Sequence, residues 1–193
     1  MVLHDADIRE PLFDFLEEKY NKVRILEEKT IGRSRADVVM ITPDSICGLE
    51  IKSDADSYSR LSRQIKDYDN YYDYNYVVVG TSHAHHIKEH VPTYWGIITV
   101  ELIDNIFDFY ILRDAAANPK CKLDKKMDIL WKSELATIQN FHNMPKYRDK
   151  SKGFIIKKII ERTSYPESKK GFINISQLQL QICDVLFERD YSI

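Results

Sequence analysis

Residues 32–54 read Gly-Arg-Ser-Arg-Ala-Asp-Val-Val-Met-Ile-Thr-Pro-Asp-Ser-Ile-Cys-Gly-Leu-Glu-Ile-Lys-Ser-Asp. The runs Arg35–Thr42 and Ser45–Asp54 are short and rich in branched residues, and Pro43-Asp44-Ser45 between them is a turn, which predicts two neighbouring strands. Side chains alternate along a strand, so Glu50 and Lys52 fall on one face while Leu49 and Ile51 fall on the other. Asp37, on the preceding strand, is then in position to approach Glu50. Two carboxylates so placed suit a hard divalent cation, Mg2+ or Mn2+, which prefers oxygen ligands and retains waters. Phosphodiester cleavage needs a hydroxide at neutral pH and charge stabilisation at phosphorus, and such a cation supplies both. A lysine at 52 adds a group that orients or helps deprotonate the attacking water and offsets charge on the phosphate.

The surrounding pattern is that of an α/β core. Ile8, Leu12, Phe15 and Leu16 recur at helical spacing over residues 5–20, with Pro11 arguing for a kink or a late start. Residues 22–32 predict a first strand before the pair above. Leu61, Ile65, Tyr68 and Tyr72 share one face of a helix over 58–74, and Tyr74–Gly80 is an apolar strand. A short helix over 84–91 and strands at 95–102 and 108–114 complete the expected order αβββαβαββ.

Residues 1–115 are assigned to this core and 116–128, rich in Asn, Pro, Lys and Asp without periodicity, to a linker. Three helical runs within 129–193 predict a small all-α module. Residues Leu135, Ile138, Ile155, Ile156, Ile159 and Ile160 supply its core.

Asp37 followed by Glu50-Ile51-Lys52, with a helix and three strands in this order, resembles the PD-(D/E)XK nuclease superfamily and its restriction-endonuclease-like αβββαβ core. Gln64 and Tyr68, one turn apart on the next helix, are similar to the QxxxY element of the RecB-like branch. More narrowly, GRSRADVVMI, GLEIKSDADSYSRLSRQIKDY and HVPTYWGI resemble a bacterial and phage family of PD-(D/E)XK-like proteins, over residues 4–113. The resemblance implies a divalent-metal-dependent deoxyribonuclease with Asp37, Glu50, Lys52, Gln64 and Tyr68 at the catalytic centre. It also implies metal ligation by Asp37, Glu50, the Ile51 backbone carbonyl and an acid of the first helix, Asp7 in preference to Glu10. The alternative is a non-catalytic nucleic-acid-binding or adaptor protein that keeps the fold.

Charge divides the chain. Residues 1–119 hold 13 Lys or Arg against 21 Asp or Glu, and residues 120–170 hold 14 against 6. A basic segment beside an acidic core suggests that the former holds DNA, although solvated lysines give similar counts. Arg35, Arg60 and Arg63 near the metal strand and Lys150, Lys152, Lys157 and Lys158 in a loosely SAP-like second module are the expected phosphate contacts. Histidines 83, 85, 86 and 90 invite a zinc reading, but no cysteine or carboxylate completes a set, and a histidine-bearing surface helix is the better account. Three scattered cysteines, no signal-like N-terminus and no apolar membrane span predict a cytoplasmic protein without a membrane partner. No motif calls for an organic cofactor, and the oligomeric state stays open, a homodimer included.

Overall fold

The computed structural model describes residues 4–53 and 56–190. The chain is mixed α/β and divides into two compact units, the main break falling between Cys121 and Lys122 and the turn Pro43–Ser45 grouping with the second. In the first, α1 (Asp5–Lys19) precedes β1 (Arg24–Ile31), β2 (Ser34–Ile41) and β3 (Ile46–Lys52). A 3-10 turn at Tyr58–Arg60 runs into α2 (Leu61–Tyr71), followed by β4 (Tyr74–Gly80), α3 (Thr81–Ala84), α4 (Ile87–His90), β5 (Gly96–Ile103) and β6 (Ile106–Arg113). The helix expected over 84–91 is thus two single turns, and the rest of the predicted order stands.

The six strands form one sheet in sequential order. β1, β2 and β3 are antiparallel, β3, β4 and β5 are parallel, and β6 returns antiparallel to β5. A parallel pair requires a crossover, which α2 supplies between β3 and β4. β3 is buried at every position, as a central strand covered on both faces must be.

On one face Ile8, Leu12 and Leu16 of α1 pack with Val38, Met40, Leu49, Ile51, Val78, Ile98 and Val100. On the other, the predicted stripe of α2, Leu61, Ile65, Tyr68 and Tyr72, is buried, and Tyr68 stacks toward Trp95 with ring centroids 5.5 Å apart. Gly48 is what lets the two tyrosines lie so close to the sheet. A Cβ there would stand 2.3 Å from Tyr72 Cδ2 and 2.7 Å from Tyr68 Cδ1, well inside contact distance.

α1 runs through Pro11 from a start at Asp5. The missing proline N–H leaves only the carbonyl of Asp7, an exposed residue, and the first turn is held by other bonds. The His4 amide donates to Asp7 Oδ2 at 2.9 Å, and Arg9 pairs with Asp5 at 2.8 Å.

The stretch read as a linker is structured. Asn118 is buried and its side-chain amide donates to the carbonyls of Asp69 (2.9 Å) and Tyr72 (2.7 Å), closing the end of α2. Buried Asp69 accepts from Trp95 Nε1 (2.9 Å), Tyr94 Oη (2.7 Å) and Lys120 Nζ (3.1 Å), so residues through 120 are tied into the first unit. Polar composition concealed this, because the tie is made by single side chains and not by an apolar period.

The second unit is all-α: α5 (Leu123–Met127), α6 (Lys132–Phe141), α7 (Lys152–Thr163) and α8 (Ile175–Phe187). α5 lies inside the stretch read as linker, and Met127 and Leu130 are fully buried. Of the predicted core residues Leu135, Ile138, Ile155, Ile156 and Ile159 are buried, while Ile160 is half-exposed. Ser151 caps α7, accepting from the Phe154 amide at 3.2 Å, and Asn174 caps α8, accepting from the Gln177 amide at 3.1 Å. A buried ion pair closes this unit, Arg189 meeting Glu134 through Nε at 2.6 Å and Nη2 at 2.7 Å.

Candidate functional site

The ladder between β2 and β3 ends at the pair Val38 and Leu49. One further step in that register sets Asp37 opposite Glu50. Because Val38, Met40, Leu49 and Ile51 face α1, Asp37, Glu50 and Lys52 belong to the α2 face. Side chains take over where the ladder stops. The Ile51 amide donates to Asp37 Oδ2 at 2.9 Å, and the Asp37 amide donates to Tyr68 Oη at 3.2 Å.

Glu50 is 1% exposed and its carboxylate takes three donors. Lys52 Nζ reaches Oε1 at 2.5 Å, Gln64 Nε2 reaches the same oxygen, and Tyr68 Oη donates to Oε2 at 2.8 Å. Gln64 and Tyr68 arrive together because they are one turn apart on the inner face of α2. Burial, reinforced by Glu50 and Asp37, holds the Tyr68 hydroxyl well above its usual range, so it keeps its proton and acts as a fixed donor. Gln64 Oε1 is buried without a hydrogen-bond partner among the described residues.

Asp37 has fewer donors. Burial, and then the charge of Glu50, push its carboxyl up to about 7, against the lowering effect of the Ile51 amide and Lys52.

These groups open on a cleft of about 290 Å³ lined by Asp5, Arg9, Arg33, Ser34, Arg35, Asp37, Glu50, Ile51, Lys52, Asp56, Arg60, Arg63 and Gln64. Although the first unit is acidic, the cleft carries six Lys or Arg among these residues against four Asp or Glu. The expected phosphate contacts Arg35, Arg60 and Arg63 are exposed along it, with Arg33 beside them. Arg35 pairs with Glu28 at 3.1 Å, whereas Arg33, Arg60 and Arg63 have no ion pair among the described residues.

Asp7 is the expected ligand that the cleft does not receive. It is exposed, and its carboxylate is spent on the His4 amide. Two positions on a helix are about 200° apart for residues i and i+2, so Asp5 and Asp7 cannot face the same way, and Asp5 is the acid that lines the cleft.

Sequence reading missed Arg9 and Glu28. Arg9 bonds Asp5 Oδ2 at 2.8 Å and Glu28 Oε1 at 3.2 Å and stands 4.0 Å from Asp37 Oδ1. The i, i+4 spacing of Asp5 and Arg9 was the available signal. Glu28 lies in β1 between the pairs Glu27–Val38 and Lys29–Ala36, opposite Asp37, with φ +50. This left-handed backbone is uncommon outside glycine and turns its carboxylate to Arg9 and Arg35.

The other expected residues lie in the second unit. Lys152 Nζ is held by the Asp128 carbonyl and its carboxylate (3.2 Å), and Lys158 pairs with Glu161 at 2.7 Å. Lys150 and Lys157 are exposed. The histidines form no metal set among the described residues. His83 Nδ1 meets Tyr58 Oη at 2.8 Å, and His90 stacks on the Tyr58 ring with centroids 4.4 Å apart, so they pack the start of the α2 segment.

The carboxylates of Asp37 and Glu50 are oxygen donors of the kind a divalent cation takes and line one cleft, with Glu50 already bonded to Lys52, Gln64 and Tyr68. Among the described residues no helix is long and apolar enough to cross a membrane. No curated protein and no solved structure matches the chain. A family model does: it is described as bacteriophage P4 protein cII and matches residues 2–182. That span is nearly the whole chain, which therefore belongs to the bacteriophage P4 protein cII family.

Proposed function

We propose that the chain is a divalent-metal-dependent DNA nuclease of the PD-(D/E)XK type, acting in the cytoplasm and hydrolysing phosphodiester bonds. The observation that carries this reading is the meeting of Asp37, Glu50, Lys52 and Gln64 in one arginine-rimmed cleft, with Tyr68 bonded beneath it. Asp37, Glu50 and the Ile51 carbonyl would hold Mg2+ or Mn2+. When bound, that ion would lower the pKa of an attacking water and draw charge from the phosphate.

The chain's own residues do the rest. Tyr68 and Gln64 fix the Glu50 carboxylate, so its oxygens are aimed before substrate arrives. Lys52 sits at hydrogen-bond distance from Glu50 and is the group to steer the water and meet developing negative charge. Arg33, Arg60 and Arg63 take backbone phosphates, and the lysines of the second unit tether the strand.

A non-catalytic DNA-binding role is the second reading, favoured by two observations. The Glu50 carboxylate already has three donors. Among the described residues no group of three or more His, Cys, Asp or Glu gathers as a metal cage.

The test is incubation of the full chain with Mg2+ or Mn2+ and linear, circular and single-stranded DNA, beside Glu50→Gln. Metal-dependent cutting that Glu50→Gln abolishes supports the nuclease. DNA binding without cutting by either protein, in either metal, sinks it in favour of the second reading.

A further inference from the structure

The second unit has a surface its own packing does not need. Tyr147 and Phe154 meet edge to face with ring centroids 5.3 Å apart. Lys150 Nζ and Lys158 Nζ each lie 5.7 Å from the centre of the Phe154 ring, and Lys169 Nζ lies 3.7 Å from that of Tyr165. Lys158 stands one turn after Phe154 on α7 and is within electrostatic reach of Tyr147 and Tyr165. All three rings are half-exposed, whereas Ile155, Ile156 and Ile159 of α7 fill the core. Beside Phe154, Gly153 opens on free space, where a Cβ would meet nothing within 4 Å. Residues 146–170 contain nine Lys or Arg against three Asp or Glu, so the ground around the rings is strongly positive.

The chemistry of this surface selects among polyanions. Duplex DNA needs only cations along its phosphates, since stacking hides the base faces, and it leaves three rings set among lysines without a role. An unpaired strand presents both phosphates and bare base faces, and this surface offers both lysines and half-exposed rings. Lys150 and Lys158 are lightly held: contacts of 5.7 Å approach the limit of about 6 Å for a cation over a ring, and the Lys158–Glu161 pair is exposed. They are therefore free to turn to phosphates and uncover the Phe154 face.

We propose that Tyr147, Phe154 and Tyr165 form a stacking platform for single-stranded nucleic acid, with Lys150, Lys158 and Lys169 on its phosphates. The proposal deepens the tethering role given above to the second unit and rests on it, but not on catalysis by the core.

The experiment is fluorescence anisotropy with the full chain in EDTA, which stops cleavage, using labelled oligothymidine of roughly 15 nucleotides and a duplex of equal length. The single strand is expected to bind more tightly at every salt concentration. Phe154→Leu keeps apolar bulk and should weaken single-strand binding roughly tenfold while leaving duplex binding unchanged, and Phe154→Trp should restore it. Tyr165→Leu, outside α7, should act in the same direction and serves if Phe154→Leu proves unstable by circular dichroism. Equal binding of both DNAs, or indifference of single-strand binding to both Leu variants, overturns the stacking platform and leaves a phosphate tether. Failure to bind either DNA overturns the platform and the tether together. Absence of cleavage when Mg2+ or Mn2+ replaces EDTA, with single-strand binding intact, would count against the nuclease alone.

Discussion

Tyr68 on α2 and Glu50 on β3 are joined by a 2.8 Å hydrogen bond, and the same hydroxyl accepts the Asp37 amide of β2 at 3.2 Å. One phenol thereby holds three elements where the β2–β3 ladder has ended. Its ring neighbour Tyr72 is fully buried, and its hydroxyl has no hydrogen-bond partner among the described residues.

These two tyrosines give opposite expectations for the same change. Tyr68→Phe removes a donor to a buried carboxylate and should cost about 1.5–3 kcal/mol. Tyr72→Phe removes a hydroxyl already stripped of water without compensation and should be neutral or stabilising. Urea melts of the two variants measure both. Equal losses would mean that the Glu50 bond contributes nothing beyond ring packing.

A second expectation concerns pH. The Asp37 carboxyl is raised from the ordinary value near 3.8 to about 7, first by burial and then by Glu50. With a folded value above the unfolded one, the native chain binds more protons between these limits, so stability is lost as pH rises from 4 through 7. In EDTA, melting temperature should fall over that interval, and Asp37→Asn should flatten the fall and be the more stable protein at pH 8. Mn2+ should stabilise wild type at pH 8 and leave Asp37→Asn unmoved. An identical pH profile for the two proteins in EDTA would reject the shift.

Much of the cleft was legible because its code is local. Glu50 and Lys52 share a face by strand alternation, and Gln64 and Tyr68 share one by helical spacing, so each pair follows from residue numbers, whereas their meeting was expected from the family resemblance. The choice between Asp5 and Asp7 was not local: it depends on the rotation of α1 over the sheet, and the capping role of Asp7 is visible only once the helix start is known. Glu28 was hidden for a related reason, since nothing in an alternating strand announces a left-handed residue. In the second unit the apolar spacing gave the helices, but Asp128 and Glu161, which engage Lys152 and Lys158, are reached through folding geometry and not through composition.

The buried pair in the second unit supports a third expectation. Glu134 accepts two bonds from Arg189, whose Nη2 also reaches the Ile129 carbonyl at 3.1 Å, and the Arg189 side chain is fully buried. Glu134→Ala takes two charge-assisted bonds from that buried guanidinium and should destabilise the unit by about 3–5 kcal/mol. Replacing both residues by Met and Leu should cost less than the single change, because no charge then stays buried. Thermal melts of the single and double variants decide this, and a double variant worse than Glu134→Ala would place the value of the pair in its geometry.

The last expectation separates holding a metal from using it. Asp37→Asn removes a proposed ligand, so Mn2+ affinity by titration calorimetry and cleavage should disappear together. Lys52→Met is different. Glu50 keeps Gln64 and Tyr68 as donors and Asp37 keeps the Ile51 amide, so both carboxylates retain their aim. Metal affinity should therefore survive, while single-turnover cleavage falls by about 10²–10⁴, the range of a positioned proton-transfer group. The 2.5 Å contact with Glu50 gives the competing outcome its meaning. If Lys52→Met loses Mn2+ as completely as Asp37→Asn does, the lysine's part is to hold Glu50 in place, and it has no separate role in the chemical step.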